Sequence, residues 1–212
     1  SVERAKRPKD FKVTHAEIEE GVCPFCEGHE KDTLPEVYAL RKDGSKKDGP
    51  GWDVRVIPGI SRRFDVNRGL DRRGVGMYDV MNPVGAHEVI VESPKHIRNI
   101  HELSVGQIKK EVDTSVKRIL DLGKDPRLKY CLLFKNHGLR AGGSKLTQHI
   151  RSQIIATPVT PTRLKEELRG SRFYYRYKDR CIFCDLLRQD LEGKERVIVE
   201  TDTIVAIAPY AS

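Results

Sequence analysis

The sequence predicts an α+β fold. Runs rich in Val, Ile and aromatic residues, bounded by Gly, Pro and Asp, read as strands at 35–40, 52–57, 86–92, 130–135 and 147–156. One long stretch, 104–122, carries helical periodicity, and shorter helical segments follow at 164–169 and 181–188.

Each element has a local cause. The first two strands are separated by a Lys/Gly/Asp-rich loop at 41–51, and a long basic loop is expected over 60–82. Ala86-His-Glu-Val-Ile-Val-Glu92 is a strand stopped by Ser93-Pro94. In the long helix Val105, Ile108, Val112, Val116 and Ile119 share one face, expected to pack on a sheet. Ser104 and Gln107 form a capping box at its start, and Gly123 follows its end. Tyr130-Cys-Leu-Leu-Phe134 reads as a buried strand with Cys131 in the core, and Pro158 and Pro161 break the chain before the later helices.

A repeat is visible. Cys23-Pro-Phe-Cys26 followed by Val54-Arg-Val-Ile-Pro58 resembles Cys181-Ile-Phe-Cys184 followed by Val205-Ala-Ile-Ala-Pro209. Two segments follow from it: 1–160 as a first repeat, and 161–212 as a connecting helix and the start of a second. The chain begins with Ser and stops just after the second proline, so it reads as a fragment or as a chain missing most of its second repeat.

Composition narrows the function. The chain has 212 residues, 33% charged and 38% hydrophobic, ordinary for a globular protein. It has neither an apolar run long enough to span a membrane nor a signal-peptide pattern, so a cytoplasmic location without a membrane partner is expected. The net charge of +8 suits phosphate-bearing partners, although a solvated basic surface accounts for it equally well. The basic loop 61–73 raises nucleic acid as a partner, but a solvated or phosphate-facing loop explains it better. Four of the five cysteines form two Cys-x-x-Cys pairs, which without a secretory signal point to metal rather than a disulfide framework, although the motif is also compatible with redox chemistry. Two thiolates on one tight turn suit a tetrahedral Zn²⁺ ion, with the other ligands supplied by the fold from His15, His29, His87, His96, His101, His137 or His149.

The densest chemistry lies between Asn136 and Pro158. A Gly-rich turn (Gly142-Gly-Ser144) runs into His149-Ile-Arg151-Ser-Gln153, where strand alternation would put 149, 151 and 153 on one face. The turn amides can cradle a phosphate on which that face acts.

The segments Arg4-Ala-Lys-Arg7-Pro8, Cys23-Pro-Phe-Cys26, Trp52-Asp-Val-Arg-Val-Ile-Pro58, Gly85-Ala-His-Glu-Val-Ile-Val-Glu-Ser-Pro-Lys-His96, Asn136-His-Gly138, Gly142-Gly-Ser144 and Gln153-Ile-Ile-Ala-Thr-Pro158 occur together in this chain. Through them it resembles the galactose-1-phosphate uridylyltransferase family, of the histidine-triad superfamily. The resemblance implies a histidine-triad-like antiparallel sheet, a half-barrel with packed helices, here with an incomplete second repeat. It implies Zn²⁺ on Cys23, Cys26, His96 and His149. It places Arg4, Arg7, Asn136, Gly142, Ser144 and Gln153 around the nucleotide and its transferred phosphate. Glu167 corresponds to a ligand of a second metal, iron or zinc, in some members. The implied partners are a nucleotide sugar, a sugar phosphate and a second copy of the chain.

One residue departs from the pattern. The family's nucleophile is the second His of His-x-His-x-Gln, which takes the nucleotidyl group covalently. Counting back from Gln153, that position holds Arg151, which stays protonated and can bind phosphate but cannot attack it. Counting forward from Ser144 without an insertion makes His149 the nucleophile and puts Thr147, a poor zinc ligand, in place of the metal His. The Gln153 register is favoured because the residues after it match the family continuously. The implied activity is transfer of a nucleoside monophosphate between sugar phosphates, with Arg151 counting against it in this chain. The alternatives are a phosphorylase of nucleotide sugars or dinucleoside polyphosphates, and a non-catalytic nucleotide-binding protein.

Overall fold

Five strands pair into one antiparallel sheet: β1 (Tyr38–Arg41), β2 (Trp52–Pro58), β5 (Ala86–Val91), β6 (Tyr130–Phe134) and β7 (Arg151–Thr157), in the order β1-β2-β5-β7-β6. The structure is a computed structural model that describes residues 22–42, 44–59, 64–138, 141 and 148–210. It divides into two compact units, 1–159 and 160–212.

The sheet has two apolar faces. On one, Val54, Val56, Ile90 and Ile154 form a cluster against Ile119 and Leu122 of helix α1 (Val105–Leu122). On the other, Ile57, Val89 and Val91 pack with Trp52, Cys23 and Phe25. Arg55 fixes the loop above this second face. Its buried guanidinium donates to Glu36 Oε2 (3.1 Å), Thr33 Oγ1 (2.7 Å) and the Glu30 carbonyl (3.4 Å). Trp52 Nε1 donates to Glu30 Oε1 at 2.8 Å. The cysteine-bearing segment is thereby tied to β2 through satisfied buried polar groups.

Helix α1 corrects the expectation drawn from apolar spacing. Its buried residues are Thr114 and Ser115, while Val105, Val112 and Val116 face solvent. The docking is polar. Gln107 Nε2 donates to the Asp53 and Glu92 carbonyls, both at 2.7 Å. Arg118 grips Glu88 with two bonds of 2.7 and 2.8 Å, and Lys110 reaches Asp53 at 2.8 Å. These contacts set the helix rotation, leaving Ile119 and Leu122 to supply the apolar contact. The capping box also fails in its second half. Ser104 Oγ accepts from the Gln107 N–H, but the Gln107 side chain goes to the sheet.

Other boundaries shift. The first strand begins at Tyr38 rather than 35. The basic loop contains an exposed hairpin, β3 (Arg73–Val75) with β4 (Tyr78–Val80). Strand β6 is an edge strand rather than a buried one, so Leu132 and Leu133 are exposed and Cys131 is only half-buried. Strand β7 starts at Arg151, so His149 and Ile150 precede it, both buried. The strict alternation expected from 149 onward therefore holds only from 151. In the second unit, α2 (Thr162–Lys178) and α3 (Ile182–Gly193) are longer than expected and lead to the hairpin of β8 (Val197–Glu200) and β9 (Val205–Ile207). Among the described residues no helix is long and apolar enough to cross a membrane.

The Arg118–Glu88 pair gives a stability prediction. Arg118→Met leaves the buried Glu88 carboxylate without its partner and should cost about 3 kcal/mol in urea unfolding. The double variant Arg118→Met/Glu88→Leu should recover most of that loss.

Candidate metal centre and phosphate strand

The centre forms where three turns meet at one end of the sheet. The Cys23-Pro-Phe-Cys26 turn closes with the Cys26 N–H on the Cys23 carbonyl (3.2 Å), and Phe25 is buried in the core. The Glu27 N–H donates to the Pro94 carbonyl at 2.9 Å, fastening this turn to the segment after β5. There the Ser93 hydroxyl accepts from the Lys95 N–H (3.1 Å), shaping the bend that presents His96. The Ile150 N–H donates to the Ile97 carbonyl at 2.7 Å, drawing the residues before β7 alongside.

The result is a cluster with ligand chemistry. Donor atoms of Cys23, Cys26 and His96 all lie within 4.8 Å of one another, and Cys26 Sγ is 3.5 Å from His96 Nδ1. His149 stands beside them, its ring centroid 5.6 Å from that of His96. It lies outside the three-residue group, but its chemistry fits a fourth ligand. Its Nδ1 lies 3.0 Å from the Ile150 carbonyl, which can only accept, so Nδ1 carries the proton and Nε2 keeps a lone pair. That Nε2 is buried and has no hydrogen-bond partner among the described residues. Burial pulls the His149 pKa down to about 4, so the imidazole is neutral at neutral pH. Burial, with Cys23 adjacent, pushes the Cys26 thiol up to about 11.

Arg151 and Gln153 continue along β7 on the same sheet face as Val89 and Val91, opposite which they pair. The Arg151 guanidinium lies 4.9 Å from the Phe25 ring centroid, a cation–π contact that leans it over the cysteine turn. Burial lowers its pKa from the ordinary arginine value. Gln153 Oε1 lies 2.8 Å from Nε2 of His87. Asn136 is exposed, two residues beyond Phe134, which pairs with Gln153. Arg4, Arg7, Gly142 and Ser144 lie outside the described residues. Glu167 is exposed on α2, and no group of three ligand side chains forms around it among the described residues. Cys181 and Cys184 stand at the start of α3, where the N–H groups of Cys184 and Phe183 lower the Cys181 pKa.

His87 is the residue that sequence reasoning did not single out for the sheet face carrying Arg151 and Gln153. Period two in 86–91 places it with Val89 and Val91, but its partner becomes visible only once β5 is paired with β7.

The comparisons agree with this architecture. Residues 76–158 match the N-terminal domain of a family described as a domain of unknown function, DUF4931. The chain is 31% identical to an ADP-glucose phosphorylase from Arabidopsis thaliana, over 99% of its own length and 58% of the relative's. It is 29% identical to a galactose-1-phosphate uridylyltransferase from Thermotoga maritima, over 89% of this chain and 53% of that one. Among solved structures, an Arabidopsis ADP-glucose phosphorylase with bound ADP-glucose superposes with a TM-score of 0.73 at 26% identity, covering 96% of this chain and 59% of that one. A uridylyltransferase does so with a TM-score of 0.73 at 29% identity, covering 94% and 58%. These relatives are a phosphorylase and uridylyltransferases. The chain is thus similar to an ADP-glucose phosphorylase and to galactose-1-phosphate uridylyltransferases, and it spans little more than half the length of these relatives.

Metal binding at the cluster must release thiol protons, so affinity should fall as pH falls. Titrating the metal-free chain with Zn²⁺ between about pH 6 and 8 should give roughly one tight site and proton release on binding. Cys26→Ser should abolish the tight site. Binding that ignores pH would exclude thiolate ligation.

Proposed function

We propose that this chain carries the nucleotide-phosphate site of a uridylyltransferase-like nucleotidyltransferase acting on a nucleotide sugar and a sugar phosphate. Zn²⁺ on Cys23, Cys26, His96 and His149 holds one end of the site, and Arg151 and Gln153 face the phosphates. The observation that carries this reading is the alignment of Arg151 with Gln153 on one face of β7, directly beyond the ligand cluster. The burial of His149 beside His96, before the strand begins, supports its place among the ligands rather than on the reacting face.

The zinc would supply rigidity at the strand ends, as a closed four-ligand site does. Arg151 neutralises phosphate charge and holds it through charge-assisted hydrogen bonds. It cannot form the nucleotidyl-imidazole of the family's two-step transfer, so on this strand the chain binds the phosphate without taking it covalently. A second reading, phosphorolysis of a nucleotide sugar, is favoured by alignment with the ADP-glucose phosphorylase along 99% of the chain.

The test is incubation with ADP-glucose and UDP-glucose labelled in the α-phosphate. Nucleotide binding without acid-labile label on the protein is expected, weakened about tenfold or more in Arg151→Met. Label on His149 would overturn the assignment of both residues. Release of nucleoside diphosphate on adding inorganic phosphate would establish the second reading.

A further inference from the structure

Gln153 has a fixed neighbour. His87 lies on β5 two residues before Val89, the residue paired with Gln153, so period two puts it on the same face of the sheet. Its Nε2 is 2.8 Å from Gln153 Oε1. On its other side the imidazole lies against the backbone of Gly59, where a Cβ would stand only 2.2 Å from His87 Nδ1. The Gly59 N–H donates to the His87 carbonyl at 2.7 Å, so this close approach is held by the backbone. The ring is wedged between a residue without a side chain and the Gln153 amide.

The donor and acceptor inventory gives this contact a direction. A carboxamide oxygen can only accept, so His87 Nε2 must carry the proton. With Oε1 engaged, the NH2 group of Gln153 is left to donate elsewhere. The reversed amide would present an oxygen lone pair to a phosphate and repel it. Holding the amide one way round before the ligand arrives removes that reorganisation from binding.

We propose that His87 is a positioning residue that fixes the polarity of Gln153: its Nε2–H donates to Oε1 and leaves the Gln153 NH2 for a phosphate oxygen of the nucleotide. Gly59 is the second part of the device, because only a residue without Cβ admits the ring. The proposal rests on the phosphate-facing reading of Gln153 given above.

Two measurements test it. The first is the ¹⁵N resonance of His87 Nε2 in the ligand-free chain, which must be that of a protonated nitrogen at neutral pH. The second is ADP affinity by calorimetry in three variants. His87→Met removes the donor at similar volume and should weaken ADP binding about tenfold. His87→Gln places an N–H near the position of Nε2 and should restore most of the loss. Gly59→Ala displaces the ring while leaving both partners in the sequence, and should reproduce the His87→Met defect. A merely structural role would not give rescue by Gln. An unprotonated Nε2, or His87→Met binding ADP as the wild type does, overturns the proposal. A wild type with protonated Nε2 that binds no ADP overturns the nucleotide reading and leaves the His87–Gln153 polarity standing.

Discussion

The antiparallel pairing of β5 with β7 is the constraint on which the rest of this molecule depends. Val91 lies opposite Arg151 and Val89 opposite Gln153, so the end of one strand and the start of the other meet at one edge of the core. His96, five residues beyond β5, and His149, two before β7, are delivered to the same place by that register. A slip of one residue would turn Arg151 and Gln153 to the helix face and put Ser152 in their place. The ladder is held against such a slip from both sides. Ile90 and Ile154 are buried under α1, and Val89 and Val91 under the cysteine turn.

Buried polar contacts then fix what apolar burial leaves loose. Arg55 joins β2 to the Glu30–Glu36 region, and Arg118 joins α1 to β5. Such groups are costly unless fully partnered, and here the partners are present, which makes the docking angles specific. The Cys23–Cys26–His96 cluster sits on a base arranged in this way. The Glu27–Pro94 and Ile150–Ile97 hydrogen bonds set its separations from the backbone.

The strands were legible because their periodicity and stops are local. Trp52–Pro58 and Ala86–Val91 appear within a residue of where composition places them. The rotation of α1 was not legible, because Gln107 and Arg118 read as surface residues until Asp53, Glu88 and Glu92 are brought beneath them. The edge position of β6 was hidden for a related reason, since strand order is a property of the sheet rather than of Tyr130–Phe134. At the site, the Cys-x-x-Cys turn suits a metal but also redox chemistry, and it was the family resemblance that named His96 and His149 as its companions. The lone pair left buried on His149 Nε2, and the contact between His87 and Gln153, exist only in three dimensions.

The central claim is that His149 belongs to the metal and Arg151 to the phosphate. Zinc K-edge X-ray absorption on the zinc-loaded chain addresses it most directly. The account predicts a first shell of two sulfur and two nitrogen atoms, with one nitrogen lost in His149→Ala and the shell unchanged in Arg151→Met. A shell that is the same in His149→Ala as in the wild type would contradict it.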